Sequence, residues 1–369
     1  MFERIKEMRT RNKIIAVVVV VVVLIVGVGF WRGWFGSGNK VSPLNLNAPR
    51  GESGAPVNTG NVSPFSGLAC ANWNRRPIAA MEAADLSVRP DSGFSDADLV
   101  LEMPAITASI TRLMGVYVCN DPTEVGSIRS TRHDYIALAA GWDAILVHWG
   151  GSHFAGDILN KKVIDNLDLN GSFGNKAPQC GFRKDGIPAP DNGFAKFSTL
   201  LDCAQKAGYD MTDKFAGYPH QTEASADQRG KGGELRVGFA KPYDVNYTYD
   251  PASNTYLRTW GGVADVDANN GKRNAPKNLA VVIASSEQIE GQYNNVQIGD
   301  PQFDSVMEGE AHYYLNGQEF AGRWKKDKSS WSSKLFLYDD KGQEMKFVPG
   351  QLWVEVLEPG QTLKWTPTL

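Results

Sequence analysis

Two arginines close together in the chain give the strongest signal for binding chemistry. Arg129 and Arg132 lie in GSIRSTRHDY, residues 126–135, at the predicted start of a helix. The helix dipole disfavours a cation there by about 0.3–1 kcal/mol, whereas helix N–H groups and two guanidinium forks suit a carboxylate, phosphate or sulfate. We therefore predict an anion site. The alternatives are that both arginines pair with local acids such as Glu102, Asp121 or Asp134, or that they are exposed to solvent.

A second cluster follows at the end of an apolar run. The stretch ILVHWGGSH, residues 145–153, predicts a strand that ends near His148. Ligands of α/β sheets lie beyond the carboxyl ends of strands, and Gly150 and Gly151 favour a close approach of the backbone to a ligand. The alternative is a tight turn followed by Ser152 as the cap of the next helix.

Known catalytic patterns are absent from the sequence around this histidine. The chain has no G-x-S-x-G elbow for serine hydrolysis, and neither H-E-x-x-H nor H-x-x-E-H for zinc. A metal set of His148, His153 and Asp157 is less common than a hydrogen-bonded structural histidine, so we predict no metal and no other cofactor. His148 stays the one candidate general acid or base, and whether the protein is an enzyme stays open.

The elements that must hold these residues follow a mixed pattern between residues 64 and 232. Short apolar runs predict strands, and helical periodicity predicts helices. The strands are PIAAMEA, ADLVLEM, TRLMGVYVC and DAILVHWG, and the helices are TRHDYIALAAGW, SHFAGDILNK and FAKFSTLLDCAQKAG. This alternation predicts an α/β N-terminal domain, in which Arg112 supports the arginine motif from the preceding strand.

From residue 233 to residue 369 the pattern changes to strands and turns. Asn316-Gly317 between alternating runs predicts a hairpin, NYTYDPASNTYLRTW predicts another, and LAVVIAS predicts a buried strand. We therefore predict a mainly β (α+β) C-terminal domain. Its segment FAGRWKKDKSSW, residues 320–331, mixes cations with tryptophans, which suits either an anionic partner or a charged edge strand that resists sheet pairing.

The N-terminus predicts a membrane anchor. Residues 14–31 carry no charge and are long enough for one transmembrane helix through about 30 Å of hydrocarbon. Residues 1–13 are basic, which predicts a cytoplasmic segment and places the bulk of the chain outside the cell membrane. Residues 32–63, rich in Gly, Ser, Pro and Asn, predict a disordered linker. The alternative, a cleaved signal peptide, lacks an A-x-A-like site.

Charge and cysteine usage narrow the class of protein further. Lysine plus arginine (38) nearly balances aspartate plus glutamate (41), so we predict no binding of nucleic acid. An even number of cysteines in an oxidising compartment predicts disulfides rather than a redox or zinc site. Three pairings are possible among Cys70, Cys119, Cys180 and Cys203. Short loop closure favours Cys180 with Cys203, which leaves Cys70 with Cys119.

Several ordered motifs resemble the YerB-like family of bacterial cell-envelope lipoproteins, whose two domains are classed as of unknown function. They are RPDSGFSDADLVLE, ITRLMGVY, GSIRSTR, DAILVHWGGS, FAGRWKK and VPGQLWVEV, within residues 64–362. The resemblance implies a membrane-tethered extracytoplasmic protein with a cell-wall connection. Its members are similar around Arg112, Arg129, Ser130, Arg132, His148, Gly150, Gly151 and Ser152. This chain departs from them in its transmembrane segment and in His153, where a proline is familiar.

Together these observations predict a single-pass membrane protein that binds an anionic or glycan component of the envelope, such as peptidoglycan, or a cell-wall protein. The predicted site is built from Arg129, Arg132 and His148 around residues 150–152, with Arg112 behind it. The alternative is an enzyme that modifies cell-wall polymer, in which His148 moves protons and the arginines stabilise charge in the transition state.

Overall fold

The structure is a computed structural model that describes residues 60–368. Strands dominate this part of the chain. They are β1 Ile78–Ala83, β2 Leu99–Pro104, β3 Thr111–Tyr117, β4 Glu124–Val125, β5 Ile145–His148, β6 Asn166–Asp168, β7 Phe182–Arg183, β8 Gly193–Lys196, β9 Gly233–Gly238, β10 Val245–Asp250, β11 Thr255–Trp260, β12 Val263–Ala264, β13 Asn278–Ile283, β14 Ser286–Glu290, β15 Tyr293–Val296, β16 Glu308–Leu315, β17 Gln318–Lys325, β18 Phe336–Asp339, β19 Leu352–Leu357 and β20 Thr362–Pro367.

Three α-helices are present in the described residues: α1 His133–Gly141, α2 His153–Asn160 and α3 Phe197–Lys206. All three were predicted, and residues 233–368 contain no helix, as the mainly β prediction requires. Within residues 60–368 no helix is long and apolar enough to cross a membrane. The predicted transmembrane helix 14–31, the basic segment 1–13 and nearly all of the linker 32–63 lie outside the described residues.

A mixed sheet of ten strands forms the centre of the fold, in the order β18-β17-β16-β13-β19-β2-β3-β1-β5-β6. Strands from before and after residue 233 meet in it, so the two predicted halves of the chain share one sheet. The junction is β19, which pairs in parallel with β13 on one side and with β2 on the other. All six residues of β19 are buried, as expected for a strand with both faces covered.

Alternate residues of the central sheet point to two separate cores, because successive side chains of a strand lie on opposite faces. Ala79 and Met81 of β1 join the core that contains residues of α1 and α2. Ile78 and Ala80 join the other core, which contains residues of α3 and of a second sheet. The central sheet is therefore covered on both faces.

The second sheet has five strands in the order β12-β11-β10-β9-β20. Burial alternates along β9, β10 and β11, so one face packs on the central sheet and the other meets solvent. Arg258 of β11 is fully buried and pairs with Glu102 of β2 and with Asp265 at 2.5 Å. A buried charge is costly unless it is paired, and these ion pairs of Arg258 join the two sheets.

Local turn chemistry explains two of the hairpins. Asn316 and Gly317 both have positive φ, 51° and 67°, which a two-residue hairpin turn between β16 and β17 requires. The predicted hairpin of β10 and β11 is also present, with Val245 opposite Trp260. These two elements confirm what their sequences predicted.

Both disulfides match the favoured pairing. Cys70 bonds to Cys119, and Cys180 bonds to Cys203. No free cysteine remains among the described residues. Because Cys70 is bonded to Cys119, its sulfur is not available for attachment of a lipid.

Candidate functional site

The two predicted clusters lie side by side in the structure. The segment that leads into α1 runs beside the loop that follows β5, and backbone hydrogen bonds join them. Trp149 donates its N–H to the carbonyl of Arg129 at 3.0 Å, and Thr131 donates to Gly150 at 3.0 Å. Ser152 then donates to Thr131 at 3.2 Å. This pairing fixes the arginine segment against residues 150–152.

His148 lies inside the protein and not on a pocket surface. It is fully buried, and its Nδ1 lies 2.8 Å from the carbonyl oxygen of Gly150. Its Nε2 lies 3.0 Å from the amide nitrogen of Asn166, which donates to it. Burial lowers the pKa of His148. Because Nε2 accepts from Asn166 and Nδ1 faces a carbonyl oxygen, the proton of the neutral ring lies on Nδ1. Both nitrogens are used internally, and neither is free to move a proton to or from a ligand.

The loop after β5 is held by Asp168, which the sequence analysis did not single out. One carboxylate oxygen accepts N–H bonds from Gly150 at 2.8 Å and from Asn170 at 2.9 Å. The other accepts from Ser172 at 2.6 Å and from Phe173 at 2.7 Å. The pattern D-L-N-G-S after a strand is a recognisable turn signal for such bonds. Asp168 therefore shapes the glycine loop.

The two serines and the two glycines of the prediction have structural partners. Ser152 accepts an N–H bond from Ala155 at 3.2 Å and so caps α2. Ser130 donates its hydroxyl to the carbonyl of Trp149 at 3.1 Å. Gly150 has φ +71°, a conformation that glycine adopts without strain, and Gly151 pairs with Thr131. The turn-and-cap interpretation accounts for all four of these residues.

Arg129 is paired by the protein itself. Its guanidinium bonds to Asp191 and lies 3.5 Å from Asp85. Asp191 belongs to the loop before β8 and was not among the acids considered from the sequence. These two carboxylates compensate the charge of Arg129, so a bound anion is not required there.

Arg112 and Arg132 differ sharply from Arg129. Arg112 is 4% exposed and Arg132 is 9% exposed, yet neither forms an ion pair with a carboxylate of the described residues. Arg112 donates to the carbonyl of Ser130 at 2.6 Å, and Arg132 donates to that of Thr131 at 3.2 Å. The Nε–H of each has no partner. Two buried, incompletely bonded cations are therefore held in one place.

The electrostatics show that these cations are poorly compensated. Burial, and then the positive charges of Arg132 and Arg129, lower the pKa of Arg112 to about 9. Burial also lowers the pKa of Arg132. Its guanidinium lies 5.5 Å from the ring centre of Tyr293, a cation–π contact that offsets part of this cost. We name Arg112, Arg132 and Tyr293 the arginine pocket.

The metal set considered from the sequence does not assemble. His148 is buried with both nitrogens bonded, while His153 is exposed and lies 3.0 Å from Glu290. Asp157 is exposed on α2. These three side chains therefore do not converge on one ion.

Comparison with known proteins gives consistent matches across both halves of the chain. Residues 65–210 match the N-terminal domain, and residues 235–354 the C-terminal domain, of a protein family of unknown function, DUF3048. YerB of Bacillus subtilis strain 168, named as a candidate lipoprotein, is 28% identical over 266 residues, covering 70% of this chain and 74% of YerB.

A solved structure extends this likeness to the fold. The crystal structure of Bacillus subtilis YerB superposes with a TM-score of 0.69 at 25% sequence identity. It covers 80% of this chain and 96% of the YerB chain. With both domain models matched in order along one chain, this protein belongs to the YerB-like, two-domain DUF3048 family.

Proposed function

We propose that this chain is an extracytoplasmic, membrane-anchored protein that binds an anionic group of a cell-envelope polymer in the arginine pocket. One observation carries the proposal: Arg112 and Arg132 are buried together without a carboxylate partner, and each leaves its Nε–H unbonded. Burying an unpaired charge costs several kcal/mol. A ligand anion would compensate that cost and accept the unused N–H groups.

The location outside the cell rests on two independent supports. The relative YerB is named as a candidate lipoprotein, a class attached to the membrane from outside. This chain holds two disulfides, which persist in oxidising compartments. Because Cys70 is disulfide-bonded, the proposed anchor is the apolar segment 14–31 as a single span, with residues 1–13 in the cytoplasm.

The neighbourhood of the pocket favours a ligand that carries sugars as well as charge. The ring of Tyr293 lies 5.3 Å from that of His153 and 6.0 Å from that of Phe154. Tyr293 and Phe154 are half-buried and His153 is exposed, so this ring cluster is the surface proposed to contact a sugar, while guanidinium forks bind carboxylate or phosphate. Peptidoglycan and wall polymers with phosphate both combine these groups. Because His148 is enclosed, the proposal assigns binding and no catalysis to this site.

The test uses the full chain in mild detergent with phosphate, sulfate and acetate as probes. Thermal unfolding should shift upward with at least one anion, since a ligand that binds only the folded state stabilises it. Arg132→Met should abolish the shift. Arg236→Met, which removes an exposed arginine of β9, should retain it. Equal shifts in wild type and Arg132→Met would refute the pocket as the anion site.

Sedimentation with purified bacterial cell wall then separates the sources of the anion. Binding that survives removal of phosphate polymers by hydrofluoric acid indicates peptidoglycan carboxylates, and binding lost on that treatment indicates phosphate. Both results support the proposal if Arg132→Met weakens the binding. Wall binding that Arg132→Met leaves unchanged, or release of wall fragments by the wild type, contradicts it.

A further inference from the structure

A second buried polar cluster lies at the start of α1, one residue beyond Arg132. His133 and Asp134 meet Asn295 of β15 and Asp300 of the loop that follows. The Nε2 atom of His133 lies 3.0 Å from Asn295 Oδ1 and 3.1 Å from Asp134 Oδ1. One ligand atom from each of His133, Asp134 and Asp300 can be chosen so that all lie within 4.8 Å of one another. Nitrogen and oxygen donors thus converge on one point.

The cluster is closed to solvent and its acids are incompletely bonded. Asp134 and Asp300 are both 0% exposed. Asp300 accepts N–H bonds from Gln302 and Phe303 with Oδ1, but its Oδ2 has no partner. The Oδ2 of Asp134 has none either. A buried carboxylate oxygen without a partner costs free energy, so this arrangement is complete only with a further atom inside it.

The donor atoms lie close enough together to share one cation. In an octahedral complex with bonds of about 2.1 Å, neighbouring ligand atoms lie about 3.0 Å apart. The contacts of His133 Nε2 with Asn295 at 3.0 Å and with Asp134 at 3.1 Å are compatible with this edge length and equally with ordinary hydrogen bonds. A single imidazole proton cannot serve both oxygens fully, whereas a cation between them can.

Two further buried side chains, Lys326 and Asp304, lie beside the cluster. Lys326 is 0% exposed and its Nζ has no hydrogen-bond partner, although it lies close enough to Asp300 and Asp304 to feel their charges. Asp304 is 5% exposed, and its Oδ1 is also without a partner. Its Oδ2 accepts N–H bonds from Gly299 at 2.6 Å and from Asp300 at 2.7 Å, which holds the loop in shape.

The charge balance of the cluster is also that of a cation site. Three carboxylates, Asp134, Asp300 and Asp304, face one imidazole and one ammonium. Phe303 lies 4.5 Å from the ring of His133 and helps to exclude water. In such surroundings a bound divalent ion relieves the repulsion among the acids.

We propose that His133, Asp134 and Asp300 bind one divalent cation, with the amide oxygen of Asn295 as a further ligand. One imidazole among oxygen donors favours Mn²⁺ or Zn²⁺ over Ca²⁺. The proposal stands apart from the arginine pocket, because none of its ligands belongs to that pocket. It differs from the metal set considered in the sequence analysis, which used other histidines.

The test measures metal binding directly on the full chain in detergent after dialysis against a chelator. Electron paramagnetic resonance of Mn²⁺ and calorimetric titration with Zn²⁺ should show one site per chain. Asp300→Asn should weaken that binding by about 100-fold, while its amide oxygen still accepts the N–H of Gln302. The matched control is Asp327→Asn, because exposed Asp327 accepts the N–H of Ser329 at 2.9 Å in the same kind of turn.

Circular dichroism of each variant shows whether it is folded. If Asp300→Asn does not fold, Asp134→Asn takes its place, since its Oδ1 would still accept the N–H of Val296. Absence of binding of both Mn²⁺ and Zn²⁺ at millimolar concentration overturns the proposal. So does binding that the Asp300 or Asp134 variant leaves unchanged, or that Asp327→Asn weakens equally.

Discussion

Replacing Arg112 by methionine should make the unliganded protein more stable. Lowering the pKa of Arg112 from its ordinary range to about 9 corresponds to about 5 kcal/mol against the charged form, at about 1.4 kcal/mol per pKa unit. This cost applies in full at neutral pH, which is below the folded pKa. The variant also loses the hydrogen bond to Ser130 and leaves the Ser130 carbonyl unpaired, which lowers the free energy of unfolding by about 1–3 kcal/mol. The net expected gain is therefore about 2–4 kcal/mol.

The assay is urea unfolding of the full chain at neutral pH in a buffer without phosphate or sulfate. Arg76→Met is the matched control, because Arg76 is 9% exposed but pairs with Asp165 at 2.6 Å and with Asp143 at 3.4 Å. That variant should lose stability, since it leaves carboxylates without their cation. Adding phosphate should then stabilise the wild type and leave Arg112→Met unchanged.

One result would refute the reasoning. If Arg112→Met loses stability in the anion-free buffer as Arg76→Met does, the protein itself satisfies the Arg112 charge. No ligand would then be needed to explain a buried arginine at that position. The proposed anion site would lose the observation on which it rests.

Three more outcomes follow from the buried groups. Arg258→Met should lower the free energy of unfolding by about 3–5 kcal/mol in urea, because it leaves Glu102 buried without its cation. Replacing both Cys70 and Cys119 by serine should cost about 4 kcal/mol by the same measurement, since that disulfide spans 49 residues. Burial lowers the pKa of His148, so wild-type stability should fall as pH drops below about 6.5. His148→Gln should reduce this fall in unfolding measured at several pH values.

The sequence predicted the local elements because their causes are local. Asn316-Gly317 requires only a two-residue turn between alternating strands, and Ser152 caps the helix that follows it. The proximity of Arg129–Arg132 to residues 150–152 was also foreseeable, because a helix start and a strand end meet at the same edge of a sheet.

The remaining features depend on contacts between distant parts of the chain. β5 lies between β1 and β6 and all four of its residues are buried, so His148 lies inside the protein. The three apolar residues before His148 do not alternate with polar ones, so the sequence pattern could not reveal its burial. Arg129 donates a hydrogen bond to Asp191, which lies 62 residues further along the chain. Lys326 looked like part of an exposed cationic strip, yet it is fully buried. The spacing of apolar residues predicts which face of a helix or strand is buried. It does not predict which distant element packs on that face.

The position of β19 has a consequence for the order in which the chain can fold. During synthesis β2 emerges about 250 residues before β19, the strand that completes its parallel edge. At a synthesis rate of roughly 5–20 residues per second, that edge of β2 stays unpaired for about 12–50 seconds. An open strand edge is a template for wrong pairing between chains. The pairing of β2 with β19 is therefore one of the last steps by which the chain completes its central sheet.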